Sequence, residues 1–169
     1  HLSHLPRPPR ALHFPPNCFY EPIDPETGEV IEGRFPAMLA IACDRAGKIV
    51  ACHRTYLDLY DGAWRKARVP EQKKVLGNYK GAAIRLWSGM GPRGGKQRLS
   101  ELKPGAHVYV AEGIEDALSA AVVLPEAVIL AAISLSNMAG LWLPETVADV
   151  TLIADRDPGE QAQNALQAA

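Results

Sequence analysis

The chain has 169 residues, a formal net charge of −1, 47% hydrophobic and 22% charged residues, an ordinary balance for one or two small packed domains. No apolar run is long enough to span a bilayer and His1-Leu2-Ser3-His4 lacks the charged-then-apolar layout of a secretion signal, so no membrane partner and a cytoplasmic location are expected. Cys18, Cys43 and Cys52 are odd in number and widely spaced, which excludes a zinc ribbon or a disulfide framework and leaves reduced structural thiols.

Residues 1–34 hold Pro6, Pro8, Pro9, Pro15, Pro16, Pro22 and Pro25, so extended or turn structure is expected there and helix is not. They read as a wrapping arm or linker. Two β-prone runs, 38–43 and 48–56, flank Asp44-Arg45-Ala46-Gly47, the pattern of a hairpin with glycine at a positive φ. A turn-rich segment over 77–81, a short strand over 83–87 and a loop over 88–96 with Gly89, Gly91, Gly94 and Gly95 follow. A boundary is placed near Lys103-Pro104-Gly105, dividing the chain into an arm (1–34), a mixed α+β subdomain (35–103) and a second domain (104–169).

Beyond that boundary the pattern becomes strand (107–111), helix (114–124), strand (127–133), short helical turn (138–143), strand (149–154) and a helix from 161. Continuous apolar strands are buried on both faces, as parallel strands are, and right-handed crossovers bring their carboxyl ends to one edge. An α/β fold is the expectation. Because the chain opens without methionine and closes in a helix-like run, it reads as a piece of a longer protein.

Charge is distributed unevenly: residues 1–63 carry −2, 64–103 carry +9 and 104–169 carry −8. Either the two halves simply attract each other, or the basic segment holds a polyanion while the acidic one holds a metal that neutralises phosphate. Trp64, Tyr79 and Trp87 within the basic segment suit stacking on single-stranded bases, and equally suit a core.

Two acidic motifs sit where strands end. Glu112-Gly113 follows the first strand of the second domain, and glycine there lets backbone and ligand approach closely. Glu112 is a candidate general acid/base or metal ligand. Glu115 and Asp116 fall in the first helical turn, where acids complement the helix dipole; Asp116 also suits an outer role at a cation, whereas Glu115 is read as a dipole partner. Asp155 and Asp157, two apart, leave one face of a continuing strand and suit shared metal binding, with a turn as the competing reading. Ser134, Ser136 and Asn137 lie on the same predicted edge, as phosphate contacts or helix caps.

These residues resemble the Toprim domain shared by bacterial-type DNA primases, topoisomerases and some nucleases, through Glu112-Gly113 with Asp116 and through Asp155-Arg156-Asp157. The resemblance implies a Rossmann-like, mainly parallel sheet flanked by helices over about 105–169. Upstream, Arg34-Phe35-Pro36, the hairpin through Asp44–Val50, and Lys73-Lys74-Val75-Leu76-Gly77 followed by Gly81 and Leu86 are similar to the catalytic core of bacterial-type primases, especially those of phages, plasmids and mobile elements. That similarity implies that Lys73 or Lys74 meets nucleotide or template phosphate. Pro158-Gly159 follows Asp157 one residue sooner than the family pattern has it. The expectation is thus Mg²⁺- or Mn²⁺-dependent nucleotidyl transfer from nucleoside triphosphates on a single-stranded DNA template, with Glu112, Asp116, Asp155 and Asp157 catalytic and Glu112, Asp155 and Asp157 on the metal. Arg54, Lys73, Lys74, Lys80, Ser136 and Asn137 are the expected phosphate contacts, with His53 beside them, and a helicase is an expected partner. A Toprim nuclease and a non-catalytic nucleic-acid-binding or assembly module are the alternatives.

Overall fold

The computed structural model describes residues 4, 5, 7–30, 32–89 and 98–154. Its centre is an antiparallel hairpin of β4 (Ala37–Cys43) and β5 (Ile49–Tyr60). The turn between them closes through Gly47 at φ +82°, with the Asp44 carboxylate accepting the Lys48 N–H at 2.9 Å. Both hairpin strands lend their outer edges to two partners in succession. On β5, residues 51–55 pair with β7 (Lys73–Gly77) and residues 57–60 with β6 (Ala63–Lys66). On β4, Leu39 and Ala40 pair with β1 (Leu12–His13), while Ala42 and Cys43 pair with β8 (Ala83–Ser88).

Three further strands continue the same sheet: β9 (Ala106–Ala111), β10 (Val128–Ala131) and β11 (Val147–Ile153). Their order is β11-β9-β10-β8-β4-β5-β6. The β9–β10 and β9–β11 pairs are parallel, and β10 joins β8 antiparallel, so the sheet runs unbroken past residue 104. Helix α1 (Ile114–Val123) is the crossover from β9 to β10, and α2 (Leu135–Met138) is a single turn capped by Ser134.

The core follows from this continuity. Ile114, Ala117, Leu118 and Ala121 of α1 pack with Ile129 and Ala131 of β10, but also with Ala40 and Ala42 of β4 and Ile84, Leu86 and Trp87 of β8. Alanines on the buried helix face let it sit close to the sheet. On the opposite face Leu99, Leu102, Val108, Val110, Leu130 and Met138 form a second cluster. A third gathers around Tyr20 and Tyr56, whose rings meet edge to face at 4.7 Å, beneath the small ribbon of β2 (Cys18–Tyr20) and β3 (Gly33–Phe35).

Several expectations change here. Among the described residues no α-helix precedes Ile114, so the amino-terminal part consists of strands and loops rather than an α+β mixture. The reason is local: the arm is proline-rich, and paired strands occupy most of 57–77, which the sequence left open. Of the two readings of the arm, wrapping or linking, the burial of Leu5, Leu12 and Tyr20 favours the wrapping one. The short helical turn falls at 135–138, where the Ser134 cap starts it, and not at 138–143. Among the described residues the parallel, helix-linked part is confined to β9, β10 and β11. The helix expected from 161 and most of the glycine-rich loop lie outside the described residues.

Candidate active-site rim

Parallel pairing aligns three strand ends. Ala111 of β9 is in register with Ala131 of β10 and with Ile153 of β11. Glu112 is the first residue beyond β9 and is partly exposed. Its carbonyl accepts the Ile133 N–H at 3.0 Å, just after Ala132 N–H reaches the Ala111 carbonyl at 2.8 Å, so the rim is stitched by backbone beyond the ends of the strands. Ile133 holds φ +77°, a conformation that costs a β-branched residue roughly 1–3 kcal/mol and must be enforced by its surroundings. Asp155 and Asp157 lie outside the described residues; what is described is that β11, the strand leading to them, ends opposite the residue before Glu112.

Gly113 caps α1 at φ −92°. A Cβ there would stand 3.0 Å from the Asp116 Oδ2, so glycine leaves room for the Asp116 carboxylate to fold back toward the Glu112 turn. Glu115 does more than complement the helix dipole. Its Oε1 takes Lys66 Nζ at 3.2 Å and Lys73 Nζ at 3.3 Å, joining β6 and β7 to the first turn of the helix that follows Glu112. Partial burial pushes the Glu115 carboxyl up, but a backbone hydrogen bond and the two lysines outweigh it and hold it below the usual carboxylate range.

The basic residues divide between two faces of the sheet. Thr55 is paired with Lys73 and Arg54 with Lys74, and residues opposite in register share a face. Lys73 therefore lies with Glu115 and His53. Lys74 and Arg54 lie on the other side, where Lys74 pairs with Glu71 at 2.9 Å and donates to the Glu21 carbonyl at 3.4 Å, and Arg54 rests 6.0 Å from the Tyr56 ring centre. His53 is 7% exposed, and burial first, then Lys73, lowers its pKa to about 4. It is neutral at pH 7. Its Nδ1, with Arg54 Nε and Thr55 Oγ1, finds no hydrogen-bond partner among the described residues.

At the β10 end, Ser136 is exposed, with its Oγ 3.1 Å from the Ser134 Oγ. Asn137 is 5% exposed: its amide donates to the Ala82 and Ala132 carbonyls at 2.9 and 2.8 Å and its oxygen accepts the Gly81 N–H at 2.7 Å. Every polar atom of that side chain is committed inside the fold, so Asn137 ties the 77–81 turn to the rim rather than presenting itself to phosphate. It thereby brings exposed Lys80, one residue before Gly81, to the end of β10. Lys66 escaped the sequence reading because β6 was not foreseen; Asp61-Gly62, at φ +49° and +73°, is the type I′ turn whose dipeptide would have signalled it. Burial raises the Cys43 and Cys52 thiols, in keeping with unreactive structural roles.

Among the described residues no three His, Cys, Asp or Glu side chains assemble into a metal-holding group. Glu112 and Asp116 are hard oxygen donors of the kind Mg²⁺ and Mn²⁺ take, and two such carboxylates need further acids to complete a site.

Comparison with protein families gives two matches: the family described as Domain of unknown function (DUF7146) over residues 1–86, half of the chain, and a Toprim domain over residues 107–169. No curated protein and no solved structure matches.

Proposed function

We propose, for a chain that belongs through residues 1–86 to the family described as Domain of unknown function (DUF7146) and carries a Toprim domain over 107–169, that it is a primase-like nucleotidyltransferase acting on single-stranded DNA. Toprim domains occur in primases, nucleases and topoisomerases and generally bind divalent metals. The observation that carries the finer reading is the double ion pair of Lys66 and Lys73 with Glu115, three residues beyond Glu112. It sets the basic strands beside the acidic rim, so a phosphate chain held by the lysines runs past the carboxylates.

In this reading the Asp155 and Asp157 carboxylates hold the divalent cation, which supplies charge neutralisation for the phosphates. Glu112 would either complete that cation site or take the proton of an attacking 3′-hydroxyl as its oxygen bonds the α-phosphorus of the incoming nucleotide and pyrophosphate departs. Lys66, Lys73 and Lys80 orient phosphates, and positioning with electrostatics supplies most of the acceleration. His53, neutral and enclosed, supports β5 and stays out of the proton transfer. A helicase on the same or another chain would supply the single-stranded template.

The test is incubation with single-stranded template, ribonucleotides and Mn²⁺, using the native chain and the Glu112→Gln and Asp155→Asn variants. Dinucleotides and short primers from the native chain, lost by 10²-fold or more in each variant with unchanged melting, are the expected result. Degraded template would assign the same acids to phosphodiester hydrolysis. Retained DNA binding with no chemistry would make the chain a binding or assembly module.

A further inference from the structure

We propose that the cavity between the amino-terminal arm, β8 and the 3-10 turn Leu99–Glu101 is an oligophosphate-binding site separate from the acidic rim. The cavity has a volume of about 550 Å³, and its described lining residues include Arg7, Arg10, Arg85 and Arg98, with Glu101 the one acid among them. That volume falls within the range of small-ligand pockets. Four arginines against one acid among the described lining residues favour positive charge in a concave site, the condition that selects a multiply charged anion.

Two of the four are held in place by backbone. Arg85 donates to the Asp44 carbonyl at 2.6 Å. Arg7 donates to the Gly89 carbonyl at 3.0 Å and the Ser88 Oγ at 3.3 Å, with its guanidinium 4.4 Å from the Trp87 ring centre. A carbonyl acceptor fixes the Arg85 guanidinium without neutralising it and leaves further N–H groups to donate. Among the described residues Arg10 and Arg85 enter no ion pair, and Arg98 meets Glu101 only at 3.8 Å with its side chain 82% exposed. Trp87, 2% exposed, has no open ring face for a base. The recognised chemistry is therefore a run of phosphates, whether free or within a nucleic-acid backbone.

The cavity runs along β8 from the end of β10 far from the rim. Ser88 pairs with Val128, the first residue of β10, whereas Glu112 adjoins the other end of that strand, past Ala131, which pairs with Ile84 next to Arg85. The two ends are separated by roughly 10 Å along the strand.

The experiment is binding of inorganic tripolyphosphate and of a twelve-residue oligothymidylate to the full chain at low salt, in the absence of metal. Arg10→Ala with Arg98→Ala is the principal variant, because both side chains are exposed and their loss leaves the core untouched; Arg85→Gln is the second, with melting curves for each. A rise in the tripolyphosphate Kd of at least fivefold in the double variant and in Arg85→Gln, with Glu112→Gln unchanged, is the expected result. If the oligonucleotide displaces tripolyphosphate and weakens in parallel, the backbone of a nucleic acid is the natural occupant; if it does not, free oligophosphates such as nucleoside triphosphates are. No tripolyphosphate binding, or a smaller change in the variants, overturns the proposal, and neither result depends on whether the rim catalyses anything.

Discussion

At the scale of single residues, burial of His53 couples the fold to acid. The unfolded imidazole takes up a proton as pH falls through 6.5, whereas the folded one refuses it until about 4. Between those values the unfolded chain binds more protons, so stability is complete above about pH 6.5 and declines as pH drops toward 4. The full effect is on the order of 3 kcal/mol, with each pKa unit contributing about 1.4 kcal/mol. Chemical denaturation at pH 7 and pH 4.5 should show most of that loss in the native chain and a clearly smaller one in His53→Leu; equal losses would remove His53 as the cause. Residue roles were unevenly legible in the sequence. Glu112 could be placed at a strand end because a continuous apolar run stopped there. The interior commitment of Asn137 was hidden, since its three partners come from Gly81, Ala82 and Ala132, and only the folded chain brings the first two close.

At the scale of elements, β7 depends on a single glycine. Gly77 has φ +94°, and a Cβ there would meet the Val50 carbonyl oxygen at 2.3 Å, a contact with backbone that no rotamer change relieves. Gly77→Ala is expected to cost about 3 kcal/mol or more and to loosen the pairing that positions Lys73. Gly28→Ala, at φ +72° with nothing within 4 Å, should cost nearer 1 kcal/mol. Denaturant midpoints of the two variants measure the difference, and a Gly77→Ala protein as stable as Gly28→Ala would contradict the close approach. The 44–47 hairpin, β8, β9, α1 and β11 were readable because each is a local pattern bounded by glycine, proline or a cap. Strands β6 and β7 were not, because they are short, mostly exposed and lysine-rich, with Trp64 60% and Leu76 63% exposed. Their pairing partner, β5, supplies what their own side chains do not.

At the scale of the whole molecule, the arm, the antiparallel strands and the Toprim strands share one sheet and one principal core. Removing residues 1–103 would strip β10 of its β8 partner and uncover α1 residues packed against Ile84 and Trp87. Residues 104–169 alone are therefore expected to lack cooperative unfolding, whereas the full chain melts in a single transition, as calorimetry and circular dichroism can establish. Independent melting of that fragment would show that the seam at β8 is dispensable. Sequence punctuation at Lys103-Pro104-Gly105 was visible, but punctuation does not reveal strand pairing across it, which depends on distant residues.

The Glu115 carboxylate acts as a resident counter-anion for two ammonium groups. An incoming phosphate chain that drew Lys66 and Lys73 to itself would release that negative charge one turn of chain from Glu112, and a more negative rim would attract a divalent cation more strongly. In the proposed function, polyanion and cation loading would thus be heterotropic, each raising the other's affinity by the same factor. Titrating Mn²⁺ with and without oligonucleotide should show the enhancement in the native chain and its loss in Glu115→Gln; an enhancement that survives the substitution would place the coupling elsewhere.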